Sequence, residues 1–315
     1  MAYNLKSIKK EFSQKGIFYT EKALAEYVKS FLPDNVTEVY DPTCGNGGLL
    51  SVFNDDVKKY GQEINEEQLE DAKKSLVNFT GICGDTLKNP AFMGRKFKAI
   101  VANPPFGINW EPPKMDLFDK DVRFEKVPVL PPKGAADFAF FLHILYLLAD
   151  DGIAVVLDSR GPLFRGGAEG KIRRWFIENN YVDKIVIIPE KQFTDTAIGT
   201  VIWVLKKNKT DKTIEFSEMN SDWKKSVSFE EIEKNDFSLE INRYKEIKYE
   251  KIEYPSSSEM LEKMCDDIVT QVDSIFELLA MLNTEVGDEC FINFVDKINN
   301  CIAKQKNSDI YKRNI

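Results

Sequence analysis

The stretch Asn103-Pro104-Pro105-Phe106 follows the apolar run 98–102 and combines groups that could hold a planar amine. The side-chain oxygen of Asn103 and the backbone carbonyl of Pro104 can accept hydrogen bonds from an exocyclic amino group. Two prolines stiffen the backbone, and Phe106 offers an aromatic face on which a flat base can stack. An ordinary proline-rich loop with a buried phenylalanine is the alternative interpretation.

The element that must position this stretch is the run 98–102, which is apolar and β-branched. Such a run is typical of a buried strand. Because ligands bind at the carboxyl ends of strands in open α/β sheets, the pattern predicts a binding site that begins at Asn103.

A glycine-rich turn lies earlier in the chain, between a predicted strand over 36–40 and a predicted helix start at 49–50. It reads Asp41-Pro42-Thr43-Cys44-Gly45-Asn46-Gly47-Gly48. Strand, glycine turn and helix form the front of a nucleotide-binding βαβ unit, although the pattern departs from G-x-G-x-x-G and lacks the Lys-Ser/Thr of a phosphate loop. Asp41 suits a cationic or hydroxylic ligand better than pyrophosphate. A plain strand-to-helix turn is the alternative.

Two acidic residues follow at predicted strand ends. Glu63 stands near the end of a strand over 57–64, about 20 residues after the glycine turn, where an acceptor for ribose hydroxyls is expected. Asp85 follows a third short strand and could accept a hydrogen bond from an adenine amino group. For Glu63, a surface position beside a helix start is the alternative.

Later elements add a loop, a helix and a basic cluster. Residues 107–133 contain five prolines and form a predicted lid or binding loop, with disorder as the alternative. The only histidine, His143, lies inside a predicted helix over 134–149 and is expected to be packed rather than catalytic. The basic cluster suits phosphate contacts, or else forms a solvated helix face. Its members are Arg160, Arg165, Lys171, Arg173 and Arg174.

Composition excludes several classes of protein. The chain has 315 residues, 43% hydrophobic and 30% charged, without an apolar run of bilayer length or a secretory signal at its start. Its five cysteines show no C-x-x-C spacing, which favours a reducing, cytoplasmic setting and no metal cluster. The net charge of −8 argues against nucleic acid, but residues 256–289 alone hold nine acids and one base. The remainder is neutral overall, so a local basic face is allowed.

The last third of the chain has a different pattern. Strands over 181–189 and 200–205 are expected to complete the sheet, and 207–255 reads as a mixed connecting segment. A capping-box-like start at 256–259 opens an acidic helix in 256–315. Its apolar stripe could pack on its own domain or pair with a partner helix. The stripe consists of Leu261, Met264, Ile268, Val272, Ile275, Leu279 and Leu282.

These motifs, taken in order, resemble the amino-methylating DNA methyltransferases, most closely the modification subunit of type I restriction–modification systems. The resemblance covers roughly residues 10–206. It rests on the motifs above, on Gly16-Ile17-Phe18-Tyr19-Thr20, and on segments at 134–140, 163–169, 187–189 and 193–196. It departs at Glu21, where the family usually has proline. It also departs in having about 15 residues before the first motif, where the family has a helical domain, which implies a truncated chain or a compact variant.

The resemblance implies a doubly wound, mostly parallel Rossmann-like methyltransferase sheet over residues 1–206 that binds S-adenosylmethionine. Asn103 and Pro104, with Pro105, would hold the amino nitrogen of a flipped adenine, and Phe106 would stack on it. The implied partners are double-stranded DNA, a separate specificity subunit, a second modification subunit and a restriction subunit, with no metal and no membrane. The implied cofactor-binding residues are Phe18, Tyr19, Thr20, Asp41, Thr43, Cys44, Gly45, Gly47, Glu63, Ile64 and Asp85.

The chemistry expected from these residues is direct methyl transfer to an amine without a covalent enzyme intermediate. Cytosine ring-carbon methylation would need a thiolate, but the sequence has no Pro-Cys pair and Cys44 lies in the glycine turn. Two alternatives stay open. One is methylation of RNA or of a protein glutamine, and the other is a cofactor-binding assembly subunit that is inactive alone.

Overall fold

The structure is a computed structural model that describes residues 22–113, 121–189, 199–245, 256–286 and 288–306. The chain divides into two compact units, residues 1–247 and 248–315. The first unit contains every strand among the described residues.

The first unit is built on nine strands. They are β1 (Glu38–Asp41), β2 (Lys58–Glu63), β3 (Phe79–Cys83), β4 (Phe97–Ala102), β5 (Leu148–Ser159), β6 (Val182–Ile188), β7 (Thr200–Lys206), β8 (Thr213–Glu218) and β9 (Lys224–Ser228).

Five α-helices of the first unit accompany these strands among the described residues. They are α1 (Lys22–Lys29), α2 (Glu66–Ser75), α3 (Asp137–Leu147), α4 (Gly167–Glu178) and α5 (Phe229–Lys234). Asn65 caps α2 by accepting a hydrogen bond from the backbone N–H of Gln68 at 3.1 Å, as its residue type predicts.

The strands form one sheet in the order β3-β2-β1-β4-β5-β7-β6-β8-β9. Strands β1 to β5 run parallel to one another, while β7 runs antiparallel to β5 and β6, and β9 runs antiparallel to β8. The predicted α/β class with a mostly parallel sheet is therefore confirmed. Since the order reverses after β1, the sheet has a switch point between β1 and β4, where ligands of such folds bind.

Both faces of the sheet are covered by apolar layers. Along β7, Trp203 faces a core that includes Phe138 of α3 and Phe176 of α4, whereas the neighbouring Ile202 and Val204 face the opposite core. The second core includes side chains of α1 and α2. Because successive strand residues point to opposite faces, this alternation shows that the sheet is buried on both sides, as in a doubly wound fold.

Two expectations about the elements were wrong. The glycine turn leads into a 3₁₀ turn over Leu50–Val52, and Phe53 is extended, because only a short loop separates this turn from β2. The sheet also continues beyond residue 206, since β8 pairs with β6 and β9 with β8. Their alternating buried residues pack Ile214, Phe216 and Val227 into the first core. The domain boundaries at 206 and 255 stay predictions.

The second unit contains α6 (Ser257–Val286) and α7 (Asp288–Lys306), which contact each other. The predicted helical start is confirmed, because Ser256 and Glu259 form reciprocal hydrogen bonds of a capping box. Among the described residues, no helix has the length and apolar character that crossing a membrane requires.

Candidate active site

A cavity of about 450 Å³ opens at the carboxyl edge of the sheet, a volume typical of small-molecule sites. Parallel pairing places the ends of β1, β2, β3 and β4 at this edge, so the loops that follow them converge. Predicted cofactor residues Thr43, Gly45, Glu63, Ile64 and Asp85 line the cavity together with Asn103 and Pro105. The other lining residues are Pro42, Asn65, Gln68, Gly84, Thr86, Leu87, Lys88, Ile108, Asn109, Trp110, Glu111 and Phe140.

The glycine turn is shaped by a buried carboxylate. Asp41 is 1% exposed, and its Oδ1 accepts a hydrogen bond from the backbone N–H of Thr43 at 2.9 Å. Burial, together with the smaller effect of the nearby Glu63, raises the pKa of Asp41 to about 7, against the hydrogen bond from Thr43 that lowers it. Asp41 orders the turn and is not among the residues that line the cavity, and its place in the floor under the cofactor stays a prediction.

Two more residues of this turn lie away from the cavity. Cys44 is buried, and burial raises the pKa of its thiol well above the usual range. Gly47 has a φ of +87°, and an added Cβ there would stand 2.6 Å from the side chain of Leu76. Neither residue is among those that line the cavity, and their contact with the cofactor stays a prediction.

Glu63 connects β2 to the glycine turn. Its Oε2 accepts a hydrogen bond from the backbone N–H of Gly45, and its Oε1 accepts one from Asn65, both at 2.9 Å. The carboxylate is thus held in one orientation at the cavity wall. Each carboxylate oxygen has a second lone pair, so the group can still accept from ribose hydroxyls.

Asp85 occupies the corresponding position after β3. Its Oδ1 accepts hydrogen bonds from the backbone N–H groups of Leu87 at 2.9 Å and Lys88 at 3.2 Å. The hydroxyl of Thr86 donates to the carbonyl of Pro42, which fastens this loop to the glycine turn. The carboxyl group of Asp85 is therefore fixed at the cavity wall.

The stretch after β4 contributes only part of its predicted residues to the cavity. Asn103 and Pro105 line it, whereas Pro104 is buried and Phe106 is half-buried outside the lining set. Gly107 has a φ of +58° and donates its backbone N–H to Oδ1 of Asp137 at 3.2 Å. The left-handed conformation of Gly107 and this hydrogen bond therefore fix the backbone directly after residues 103–106.

Sequence reasoning missed the residue that anchors the loop 121–133, which is Arg123. Its side chain is 3% exposed and donates to the carbonyls of Thr86 and Leu87 at 3.0 and 2.7 Å, and to Asp121 at 2.8 Å. Since Thr86 and Leu87 line the cavity, Arg123 supports its wall from within. A lone arginine in a proline-rich segment gives no sequence signal for such burial. Residues 114–120 lie outside the described part of the chain.

His143 is packed, as predicted. Its Nε2 lies 3.1 Å from the hydroxyl oxygen of Tyr40, and its Nδ1 lies 3.4 Å from the guanidinium of Arg123. Because a guanidinium can only donate, Nδ1 accepts and the proton is on Nε2. Burial, with the Arg123 charge, lowers the pKa of His143 to about 3, so the imidazole is neutral.

Arg173 differs from the other members of the basic cluster in being buried. Arg173 is buried and donates to the backbone carbonyls of Phe237, Pro162 and Arg165 at 2.7–3.1 Å. Its assignment as a nucleic-acid contact is therefore corrected, because its guanidinium joins α4 to the segment after α5.

The other members of the basic cluster stay predicted DNA contacts. Lys171 is exposed, Arg165 is paired with Glu169 at 3.4 Å, and Arg174 is paired with Glu178 at 2.7 Å. Arg160 is partly buried. Phe18, Tyr19 and Thr20 lie outside the described residues. Within the described part of the chain, no group of three His, Cys, Asp or Glu side chains could hold a metal ion.

The fold and the cavity define a doubly wound α/β protein whose acidic strand ends surround a small-molecule site at the switch point. The sequence pattern of the N-6 DNA methylase family matches residues 3–222, and the chain belongs to this family.

Curated relatives support the same family. The chain is 34% identical over 223 residues to the type I restriction enzyme MpnII methylase subunit of Mycoplasma pneumoniae, covering 62% of this chain and 41% of that protein. It is 30% identical over 213 residues to the MjaIX methylase subunit of Methanocaldococcus jannaschii, covering 62% and 38%. The chain thus spans less than half the length of these relatives.

A solved structure has the same fold. The methyltransferase subunit of a type I restriction–modification system from Streptococcus thermophilus superposes with a TM-score of 0.65 at 28% identity, covering 72% of this chain and 59% of that one.

Proposed function

We propose that this chain transfers a methyl group from S-adenosylmethionine to the N6 amino group of an adenine in DNA. It would act as the modification subunit of a type I restriction–modification system in the cytoplasm. The single observation that carries the proposal is the convergence of Glu63, Asp85 and Asn103 on one cavity in a member of the N-6 DNA methylase family.

The cavity fits S-adenosylmethionine by the chemistry of its lining. The carboxylate of Glu63, held by two backbone N–H groups, suits ribose hydroxyls, and the fixed carboxyl of Asp85 suits the adenine amino group. Ile64 is 67% exposed at the cavity wall and offers an apolar surface to an adenine ring.

The residues after β4 would prepare the nucleophile. S-adenosylmethionine, when bound, supplies an electrophilic methyl group on a sulfonium. An exocyclic amine is a poor nucleophile, because its lone pair is delocalised into the ring. If the side-chain oxygen of Asn103 and the carbonyl of Pro104 accept its two hydrogens, the nitrogen moves toward tetrahedral geometry and its lone pair is aimed at the cavity. Such catalysis depends on positioning and electrostatics.

The target adenine must leave the DNA stack to reach this edge. Pro105 lines the cavity, and Phe106 is half-buried beside it. We assign to Phe106 the stacking of the flipped base and to Arg165, Lys171 and Arg174 contacts with phosphates.

The partners proposed are a specificity subunit, a second modification subunit and a restriction subunit. The described residues of α6 expose a row of apolar side chains at helical spacing, which suits a partner helix. The row consists of Leu261, Met264, Ile268, Val272 and Ile275. We expect Ile268→Glu to weaken co-purification with a specificity subunit, while Glu262→Gln leaves it unchanged. Unchanged assembly after deletion of residues 256–315 would contradict this assignment.

The test of the proposed reaction is transfer of a tritiated methyl group to unmethylated DNA, with and without a candidate specificity subunit. Asn103→Ala is expected to reduce transfer at least 100-fold, because an amine acceptor is lost. Asn89→Ala, an exposed change of the same type, is the control. Equal activity of both variants would contradict the proposed position of the target base.

A further inference from the structure

Two aspartates are buried side by side next to the end of the Asn103–Gly107 loop. Asp137 is the first residue of α3 and Asp158 lies near the end of β5, and each is 1% exposed. Oδ1 of Asp137 accepts the backbone N–H of Gly107 at 3.2 Å, and Oδ1 of Asp158 accepts that of Ser159 at 2.6 Å. The two Oδ2 atoms are buried, and neither accepts a hydrogen bond from an N–H or O–H donor among the described residues.

The two side chains are within hydrogen-bonding reach of each other. Because each Oδ1 already accepts a backbone N–H, the Oδ2 atoms are the ones left to face each other. Two ionised carboxylates cannot share a buried site, but a carboxylic acid and a carboxylate can, since one proton then forms an O–H···O⁻ hydrogen bond.

The surroundings decide which member of the pair is protonated. Burial and the neighbouring Asp137 raise the pKa of Asp158 well above its usual range, against a smaller opposing effect of Arg165. Glu169 also faces the pair, and its carboxylate is bound to Arg165 at 3.4 Å. Asp158 is therefore the member of the pair that we expect to hold the proton, while Oδ1 of Asp137 accepts from Gly107.

We propose that Asp137 and Asp158 share one proton and act as a positioning pair that fixes the backbone of the Asn103–Gly107 loop. Gly107 is four residues after Asn103, so the hydrogen bond to Asp137 holds the far end of the short segment that presents the proposed amine acceptors. The effect of the pair on methyl transfer rests on the proposed function, whereas the shared proton does not depend on it.

Asparagine variants test the shared proton, because an amide N–H can replace the shared O–H as the donor between the two groups. In Asp158→Asn, the amide oxygen still accepts from Ser159 and the amide N–H donates to Asp137. In Asp137→Asn, the oxygen still accepts from Gly107 and the N–H donates to Asp158. Each single variant therefore keeps one donor between the two groups. In the double variant two NH₂ groups face each other with no acceptor between them.

The expected result is a strongly non-additive cycle. Each single variant should retain methyl transfer within about threefold at neutral pH, and the double variant should lose at least tenfold beyond the product of the singles. The urea midpoint, measured without cofactor or DNA, should fall in the double variant and change little in the singles. Asp222→Asn, an exposed change of the same type, is the control.

The pH dependence of methyl transfer also tests the shared proton, because a purely structural role of the pair would not change that dependence. Wild-type transfer should fall at alkaline pH as the shared proton leaves, and Asp158→Asn should lack this limb. Additive effects of the two substitutions, or an unchanged loss of activity at alkaline pH in Asp158→Asn, would contradict a proton shared by Asp137 and Asp158. If the urea cycle is non-additive while even the wild type transfers no methyl group, the shared proton stands and the proposed function fails.

Discussion

Oε2 of Glu63 accepts the backbone N–H of Gly45 at 2.9 Å, so the acid at the end of β2 holds the glycine turn after β1. The same carboxylate binds Asn65 through Oε1. One side chain thus combines support of the turn with the proposed recognition of ribose hydroxyls.

Glu63→Gln should weaken both the support of the glycine turn and the proposed binding of the cofactor ribose. The amide offers one acceptor oxygen, and its NH₂ faces a backbone donor, so a charged hydrogen bond is lost at a cost of about 1.5–3 kcal/mol. We expect a 10- to 100-fold loss in affinity for radiolabelled S-adenosylmethionine in equilibrium dialysis. Glu67→Gln, an exposed change on α2, is the control. Unchanged affinity in Glu63→Gln would refute its assignment to the cofactor.

His143 should remain uncharged over the whole range in which free histidine titrates. Its pKa in the folded protein is about 3, against about 6.5 when unfolded. Between these values the unfolded state binds the extra proton, so the free energy of unfolding decreases as pH falls from 6.5 to 3. Because the chain has one histidine, its imidazole NMR signal can be followed alone and should not shift between pH 8 and 5.

The matched variant for this prediction is His143→Gln, which keeps polar groups but cannot be protonated. The difference in unfolding free energy between pH 7.5 and pH 4 should be smaller in His143→Gln than in wild type, by about 2–4 kcal/mol. A midpoint near pH 6.5 in the NMR titration would show that the imidazole is accessible to water.

Arg123→Met should destabilise the fold by about 3 kcal/mol in urea unfolding. The substitution keeps much of the volume but leaves Oδ2 of Asp121 and the carbonyls of Thr86 and Leu87 without their guanidinium donor. Arg174→Met removes an exposed pair with Glu178 and should cost less than about 1 kcal/mol. Equal effects of the two variants would argue against Arg123 as the anchor of the cavity wall.

Lys171→Ala should weaken DNA binding by the assembled enzyme in a salt-dependent way. If Lys171 contacts a phosphate, the slope of log affinity against log salt should fall by about 0.9. Lys224→Ala, at an exposed position on β9, should leave the slope unchanged. A slope that stays the same in Lys171→Ala would remove this lysine from the proposed interface.

The sequence could predict β4 to β7, which are mostly apolar runs, and the loops after β1 to β4, which contain proline, glycine or an acid. It could therefore place Glu63, Asp85 and Asn103 at one edge of the sheet. It missed β8 and β9, whose few apolar residues alternate with polar and charged ones. It could not predict the burial of Arg173, whose acceptor on Phe237 lies 64 residues away. The Asp137–Asp158 pair was missed for the same reason, since only the packing of α3 against β5 brings the two carboxyls together.

The position of the methyl group in the product tests the central claim most directly. DNA incubated with deuterated-methyl S-adenosylmethionine, this chain and a specificity subunit is digested to nucleosides and analysed by mass spectrometry. We predict label on N6 of deoxyadenosine with the wild type and at least 100-fold less with Asn103→Ala. Label on deoxycytidine instead of deoxyadenosine would contradict the proposed adenine chemistry.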